Sequence, residues 1–167
     1  MKRLLSGVGS LLVLAMLALA AQALRTWNQS TVTGAAAVVD GDSLRVGGTV
    51  IRLKGIDAPE LQQTCEREGR SYRCGDEARR ALANLVEGDG LTCTLEGKDR
   101  YDRNLARCST SARNDIGAVM VEEGHAVAYG GGYRREETAA RARRRGLWAG
   151  SFERPQDWRR EHQRSAR

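Results

Sequence analysis

After an apolar N-terminal block, the chain alternates between short runs with strand-like apolar spacing and longer stretches with helical spacing. Thr31–Val39 reads as a first strand; Ala35-Ala36-Ala37 is poor in strand formers, and Val38 and Val39 carry it. Ser43–Val46 and Thr49–Leu53 are two further strand-like runs, joined by Gly47-Gly48, a pair suited to a tight hairpin turn. Leu61–Arg73 is polar and reads as irregular. In Gly75–Val86, Ala78, Ala81, Leu82 and Leu85 recur at helical spacing, with Asp76 and Glu77 early and Gly88 just beyond. Leu91–Glu96 and Leu105–Ser109 are the fourth and fifth strands, separated by the charge-dense segment Gly97–Asn104. Asp115–Glu123 and Arg134–Arg145 read as helices stopped by Gly124 and Gly146, with His125–Tyr129 a brief extended piece between them. Phe152–Arg167 is dense in charge and is expected to fray toward its end. The expected class is α+β, mainly β: a five-stranded Greek-key barrel, the OB-fold, with about three helices.

The N-terminal block lies outside that fold. Lys2 and Arg3 precede the unbroken apolar stretch Leu11–Ala21, and Ala21-Gln22-Ala23 fits a small-residue cleavage site. Residues 1–23 therefore read as a signal peptide, or as a single-pass anchor if uncleaved, because Leu4–Leu24 approaches the ~20 residues that span a bilayer. The expected organisation is completed by a linker over residues 24–32, a domain over 33–150 and a tail over 151–167. The domain is expected to be secreted or periplasmic, with membrane contact only through an uncleaved segment.

Composition sharpens this picture in two respects. Apolar residues make up 41% of the 167 but aromatics only 5%, so the core rests on Val, Leu, Ala and Ile. The net charge of +6 favours polyanions or anionic surfaces as partners. Four cysteines, Cys65, Cys74, Cys93 and Cys108, contain no C-x-x-C pair, which argues against zinc and for disulfides in an oxidising compartment. Of the three pairings, Cys65–Cys74, closing a short loop, and Cys93–Cys108, bridging one hairpin, are favoured.

The candidate chemistry sits in Val38–Glu60. Asp40 and Asp42 precede the hairpin, Asp57 and Glu60 follow it, and a hairpin brings its outer ends side by side. Carboxylates gathered there repel one another; a hard cation such as Ca²⁺ would relieve that, and Arg52 between them suits a phosphate. A polar hairpin end with solvated charges would have the same pattern.

Asp40–Ser43 (D-G-D-S) followed by Arg52–Glu60 (R-L-K-G-I-D-A-P-E) resembles the signature of the staphylococcal nuclease-like family. Asp99–Ala106 (D-R-Y-D-R-N-L-A) is similar to that family's D-[KR]-Y-G-R-x-L-A element, and the likeness extends from Thr33 to Trp148. The resemblance implies an OB-fold that hydrolyses phosphodiester bonds of DNA and RNA, single strands preferred, with Ca²⁺, leaving 3′-phosphates, and acting as a monomer. Residue by residue it implies Asp42, Asp57 and the Ala58 carbonyl as metal ligands, with Asp40 holding the turn. It implies Arg52 and Arg103 as phosphate and transition-state clamps, Glu60 as general base or water-orienting group, and Tyr101 and Tyr129 as substrate contacts. His125 and His162 have no partner spacing and read as incidental.

The chain departs from the family pattern at Asp102, where Gly is usual, at Ser43 and Ala58, where Thr is usual, and in a cysteine-bearing loop after Glu60. An Asp beside Arg103 would weaken a phosphate contact. Two other readings therefore stand beside the nuclease: an OB module that binds nucleic acid with weak or no turnover, and a domain that merely binds Ca²⁺.

Overall fold

A computed structural model describes residues 12–20, 30–88 and 90–165. They fall into two units, one within Met1–Ser30 and one from Thr31 onward. In the first, residues 12–20 form an exposed helix, α1. Among the described residues no helix is long and apolar enough to cross a membrane. The Ala21-Gln22-Ala23 motif and most of the expected linker lie outside the described residues.

The second unit is built on a hairpin whose boundaries follow the apolar alternation. Strands β3 (Ser43–Val46) and β4 (Thr49–Leu53) pair antiparallel and send Leu44, Val46, Ile51 and Leu53 into the core. Gly47 and Gly48 connect them with φ of +54° and +82°, the left-handed pair that a two-residue hairpin turn requires. The expected first strand is two: β1 (Thr31–Gly34) and β2 (Ala36–Val38), broken after Gly34. β2 pairs with β3, whereas β1 pairs with β8 (Leu91–Lys98), which in turn pairs with β9 (Asn104–Ser109). β9 runs parallel to β4, giving the order β1-β8-β9-β4-β3-β2. The two sheet edges are successive halves of one bent strand, so the sheet curls on itself with the Greek-key order of an OB-fold.

Helix α2 (Cys74–Val86) lays Ala78, Leu82 and Val86, spaced by four, against this sheet. Helix α3 (Ile116–Glu122) starts at Asp115, whose side chain accepts from the Ala118 amide at 3.1 Å, and adds Ile116, Met120 and Val121 to the core. Both expected disulfides are present, Cys65–Cys74 and Cys93–Cys108; the latter joins directly opposed residues of β8 and β9.

Four segments differ from the sequence reading. Leu61–Arg73 is not irregular throughout: β6 (Cys65–Arg67) and β7 (Arg70–Tyr72) form a small hairpin. Ile56–Asp57 forms a two-residue strand, β5, paired with β10 (Val127–Ala128). Helix α4 stops at Ala142 rather than Arg145 (Arg134–Ala142), and a 3-10 turn follows at Gly146–Ala149. Beyond it, within the expected tail of residues 151–167, Pro155–Ser165 forms helix α5, a fourth helix among the described residues of this unit.

Candidate active site

The site begins in a turn. The Asp42 amide donates to Asp40 Oδ1 at 3.0 Å, the local bond by which an aspartate fixes the chain two residues on. This places Asp42 at the mouth of the hairpin, where the pairing of Ser43 with Arg52 sets Arg52 beside it. Asp57 arrives from β5, held against β10 by the pairing of Asp57 with Val127. The two carboxylates are almost fully buried, at 3% and 1% exposure, and converge on one nitrogen. Arg52 Nη2 is 2.7 Å from Asp42 Oδ2 and donates to Asp57 Oδ1 at 2.9 Å. Asp42 also accepts from the Ser43 hydroxyl at 3.0 Å and from the Ala58 amide at 3.2 Å. Burial raises the Asp42 carboxyl to about 7, and Asp40 and Asp57 push the same way against the pull of Arg52 and the Ala58 amide.

Glu60 is positioned by backbone. The amide of the fully buried Gln63 donates to the Glu60 carbonyl at 2.8 Å, and the Glu60 amide donates back to Gln63 Oε1 at 3.2 Å. The start of α2 closes on the same carbonyl: a Cβ at Gly75 would lie 1.8 Å from Glu60 O, so only glycine fits there. Gln63 Nε2 donates in turn to the Glu153 carbonyl at 2.7 Å, tying this turn to the segment that leads into α5.

From α5 comes a residue that the sequence reading does not contain. Arg159 grips Asp57 with both prongs, Nη1 to Oδ1 and Nη2 to Oδ2, each at 3.0 Å, and Nη1 also donates to Glu60 Oε1 at 2.8 Å. Burial alone would lower the Arg159 pKa, but the bonds to Asp57 and Glu60 raise it above the usual guanidinium range. Asp42, Asp57 and Glu60 thus stand with Arg52 and Arg159 in one network, three carboxylates against two guanidiniums. Nothing local marks Arg159 in the sequence; it lies 102 positions from Asp57 in a run of charges. Gln63 is likewise legible only in three dimensions.

The structure gathers Asp42, Arg52, Asp57, Ala58 and Glu60 but places the remaining predicted residues apart from that network. Arg103 and Tyr101 belong to the loop between β8 and β9, which Asp99 organises by accepting from the Tyr101 amide at 2.8 Å and the Arg103 amide at 3.0 Å. Arg103 Nε also donates to Asp99 Oδ2 at 2.7 Å. Its guanidinium therefore faces Asp99 and, at 5.5 Å, the exposed Tyr101 ring, beside Arg100. Asp102 has the φ of +62° that favours Gly, and its carboxylate pairs with Lys98 at 2.7 Å, while Arg103 takes Asp99. Tyr129 follows β10; its amide donates to Gly55 O at 2.9 Å and its side chain is half exposed.

Among the described residues no group of three or more His, Cys, Asp or Glu side chains is arranged as a ready metal cage. What is present is an all-oxygen pair, Asp42 and Asp57, desolvated and bridged by Arg52. Such a donor set fits a hard divalent cation better than a soft one.

Comparison with known proteins places the chain in a family. Residues 50–150 match the family described as Staphylococcal nuclease homologue. The chain is 32% identical over 123 residues to "Succinoglycan biosynthesis protein ExoI" of Rhizobium meliloti (strain 1021), covering 70% of this chain and 64% of that protein. It is 37% identical over 125 residues to "Probable staphylococcal-like nuclease CAN2" of Oryza sativa subsp. japonica, covering 70% of this chain but 30% of that one. It is 32% identical over 135 residues to an "Uncharacterized endonuclease" of Haemophilus influenzae, covering 74% of this chain and 70% of that protein. The aligned part thus spans under two thirds of the first two relatives and somewhat more of the third. With the family match covering most of the second unit, the chain belongs to the staphylococcal nuclease homologue family.

Proposed function

We propose that this protein is a calcium-dependent nuclease that acts outside the cytoplasm and hydrolyses phosphodiester bonds of DNA and RNA with little sequence preference. The observation that carries the reading is the convergence of buried Asp42 and Asp57 on Arg52, with Glu60 in the same ion-pair network. Asp42, Asp57 and the Ala58 carbonyl would hold the cation, whose contribution when bound is to neutralise the scissile phosphate. Arg52, already at the carboxylates, binds a phosphate oxygen from one side. Arg103, exchanging Asp99 for substrate, supports the charge that grows on phosphorus; a forked guanidinium suits both tasks. Glu60 accepts the proton of the attacking water as the bond to the 5′ oxygen breaks and a solvent water protonates the departing 5′ alkoxide, leaving a 3′-phosphate and a 5′-hydroxyl. Tyr101, exposed between Arg100 and Arg103, and Tyr129 offer faces for bases without reading sequence. Single strands, whose bases are free to stack, are the preferred substrate, and the protein acts as a monomer. Export is supported by the basic and apolar order of residues 1–23 and by two disulfides.

One observation favours a second reading, a nucleic-acid-binding module without turnover: Arg159 engages Glu60, the proposed base. Cleavage of single-stranded DNA by the oxidised protein, with Ca²⁺ and then with a chelator, separates the two. Ca²⁺-dependent cleavage that leaves 3′-phosphates and collapses in Glu60→Gln supports the nuclease. Salt-sensitive binding with no cleavage supports the module, and equal cleavage by both proteins refutes the role given to Glu60.

A further inference from the structure

Helix α5 has an unusual hold on the protein. Its sequence, PQDWRREHQRS, is polar nearly all round, and within the described residues only Pro155 is buried. Eleven residues of this composition are marginal as a free helix, so α5 depends on what it docks against. At its entry, Gln63 holds the Glu153 carbonyl and Arg154 pairs with Glu137 at 3.2 Å. Along the helix itself, the tie to the site is Arg159.

That tie uses the atoms a cation would need. Asp57 Oδ1 accepts from both Arg52 Nη2 and Arg159 Nη1, which engages both of its lone pairs, and Oδ2 accepts from Arg159 Nη2. Glu60 Oε1 is held by the same guanidinium. Oδ2 keeps one lone pair, but a divalent cation on Asp57 would stand beside the Arg159 guanidinium that bridges both oxygens, so like-charge repulsion sets cation and Arg159 in competition, and displacing Arg159 frees Glu60. The exchange replaces one positive charge by another beside a buried carboxylate, so neither state leaves Asp57 uncompensated.

Building on the cation reading above, we propose that α5 is an autoinhibitory strap: Arg159 competes with the divalent cation for Asp57, and cation binding releases the strap and uncovers Glu60. Closed, the site holds its carboxylates neutralised and its base occupied. Open, α5 loses the Arg159 ion pairs to Asp57 and Glu60 and is held less tightly.

The test is Ca²⁺ titration by calorimetry on the full oxidised chain, in parallel with amide hydrogen exchange over residues 155–165. If strap and cation compete, the apparent affinity is lowered by the fraction of molecules with the strap undocked. Arg159→Ala and the more nearly isosteric Arg159→Gln should then bind Ca²⁺ about tenfold more tightly or better than the unaltered protein. Arg160→Ala removes an equal charge from the next position, where the partner is Asp157, and should change affinity by less than about twofold. Saturating Ca²⁺ should speed exchange in α5 of the unaltered protein by about tenfold or more, while α2 stays protected. Unchanged or weaker binding in both Arg159 variants overturns the proposal, as does α5 protection that ignores Ca²⁺. Ca²⁺ binding to none of the proteins overturns the cation reading itself, and the strap with it. Should Arg159→Ala fail to fold, the Gln variant and the exchange experiment decide.

Discussion

Arg52 is the residue through which the site and the fold depend on each other, and its removal has a calculable cost. Arg52→Ala takes away the nitrogen lying 2.7 Å from Asp42 Oδ2 and 2.9 Å from Asp57 Oδ1. The two carboxylate side chains are 4% and 2% exposed, so water screens little of the charge left behind. Asp57 keeps Arg159; Asp42 keeps only the Ser43 hydroxyl and the Ala58 amide, neither of them a cation. Breaking a buried pair from one side costs about 3–5 kcal/mol, and the 16% exposure of Arg52 argues for the lower end, about 3 kcal/mol. For a domain of this size that is a fall in Tm of roughly 10 °C.

The assay is urea unfolding at pH 9, above the raised Asp42 value of about 7 so that the carboxyl carries its charge, with a chelator present and disulfides intact, followed by tryptophan fluorescence. A double-mutant cycle isolates the electrostatic part. If the cost is an uncompensated charge on Asp42, then Asp42→Asn in the Arg52→Ala background restores about 1–2 kcal/mol, and the two changes are far from additive. A loss below about 1 kcal/mol for Arg52→Ala, the range of exposed pairs, would refute the reasoning, and so would simple additivity.

Three further outcomes follow from the same structure. Gly75→Ala drives a Cβ to 1.8 Å from the Glu60 carbonyl; the backbone must move, and we expect a loss of about 3 kcal/mol or more in urea unfolding, with kcat falling at near-constant KM. Burial lowers the His125 pKa against the pull of Glu77 and Glu123 and with the help of Arg67, with Arg80 lining the same cavity. The unfolded chain therefore takes up this proton first on acidification, so the His125 contribution to stability falls as pH drops below about 6.5, while Asp42, raised to about 7, contributes the opposite slope; the urea midpoint of His125→Gln relative to that of the unaltered protein should rise as pH is lowered from 7.5 to 5. Asp102→Gly relieves a left-handed aspartate at the loss of an 82%-exposed contact to Lys98; the gain should lie between zero and about 1 kcal/mol by thermal unfolding, and a clear loss would show that the pair with Lys98 matters.

Where sequence and structure agree, the signals are local. The β3–β4 hairpin was legible to the residue because alternation and a Gly-Gly turn both specify it. Helix α2 was legible because Ala78 and Leu82 recur on one face before Gly88. The β6–β7 hairpin was not: Cys65–Tyr72 has no apolar alternation, and its stability comes from a disulfide and a turn at Glu68 and Gly69, with φ of +53° and +71°. Strands β5 and β10 have two residues each, too few for any period, and exist because each completes the other. Helix α5 escapes for the opposite reason, being polar nearly all round, so that no stripe announces it.

Arg159 is the instructive omission, because half of the reasoning that finds it was already available. The motif Val38–Glu60 crowds carboxylates at the hairpin end around Arg52 and so leaves a charge deficit that something positive must fill. Sequence reasoning fills it with a cation, the answer that the family resemblance favours. The structure adds a second guanidinium, drawn from a chain with 27 lysines and arginines in which no neighbour distinguishes position 159 from any other. What local sequence conveys is the electrostatic demand; which group meets it is decided by where a distant helix docks. Both groups answer the same demand at the same oxygens of Asp57, and that is the physical reason for expecting competition between them rather than cooperation.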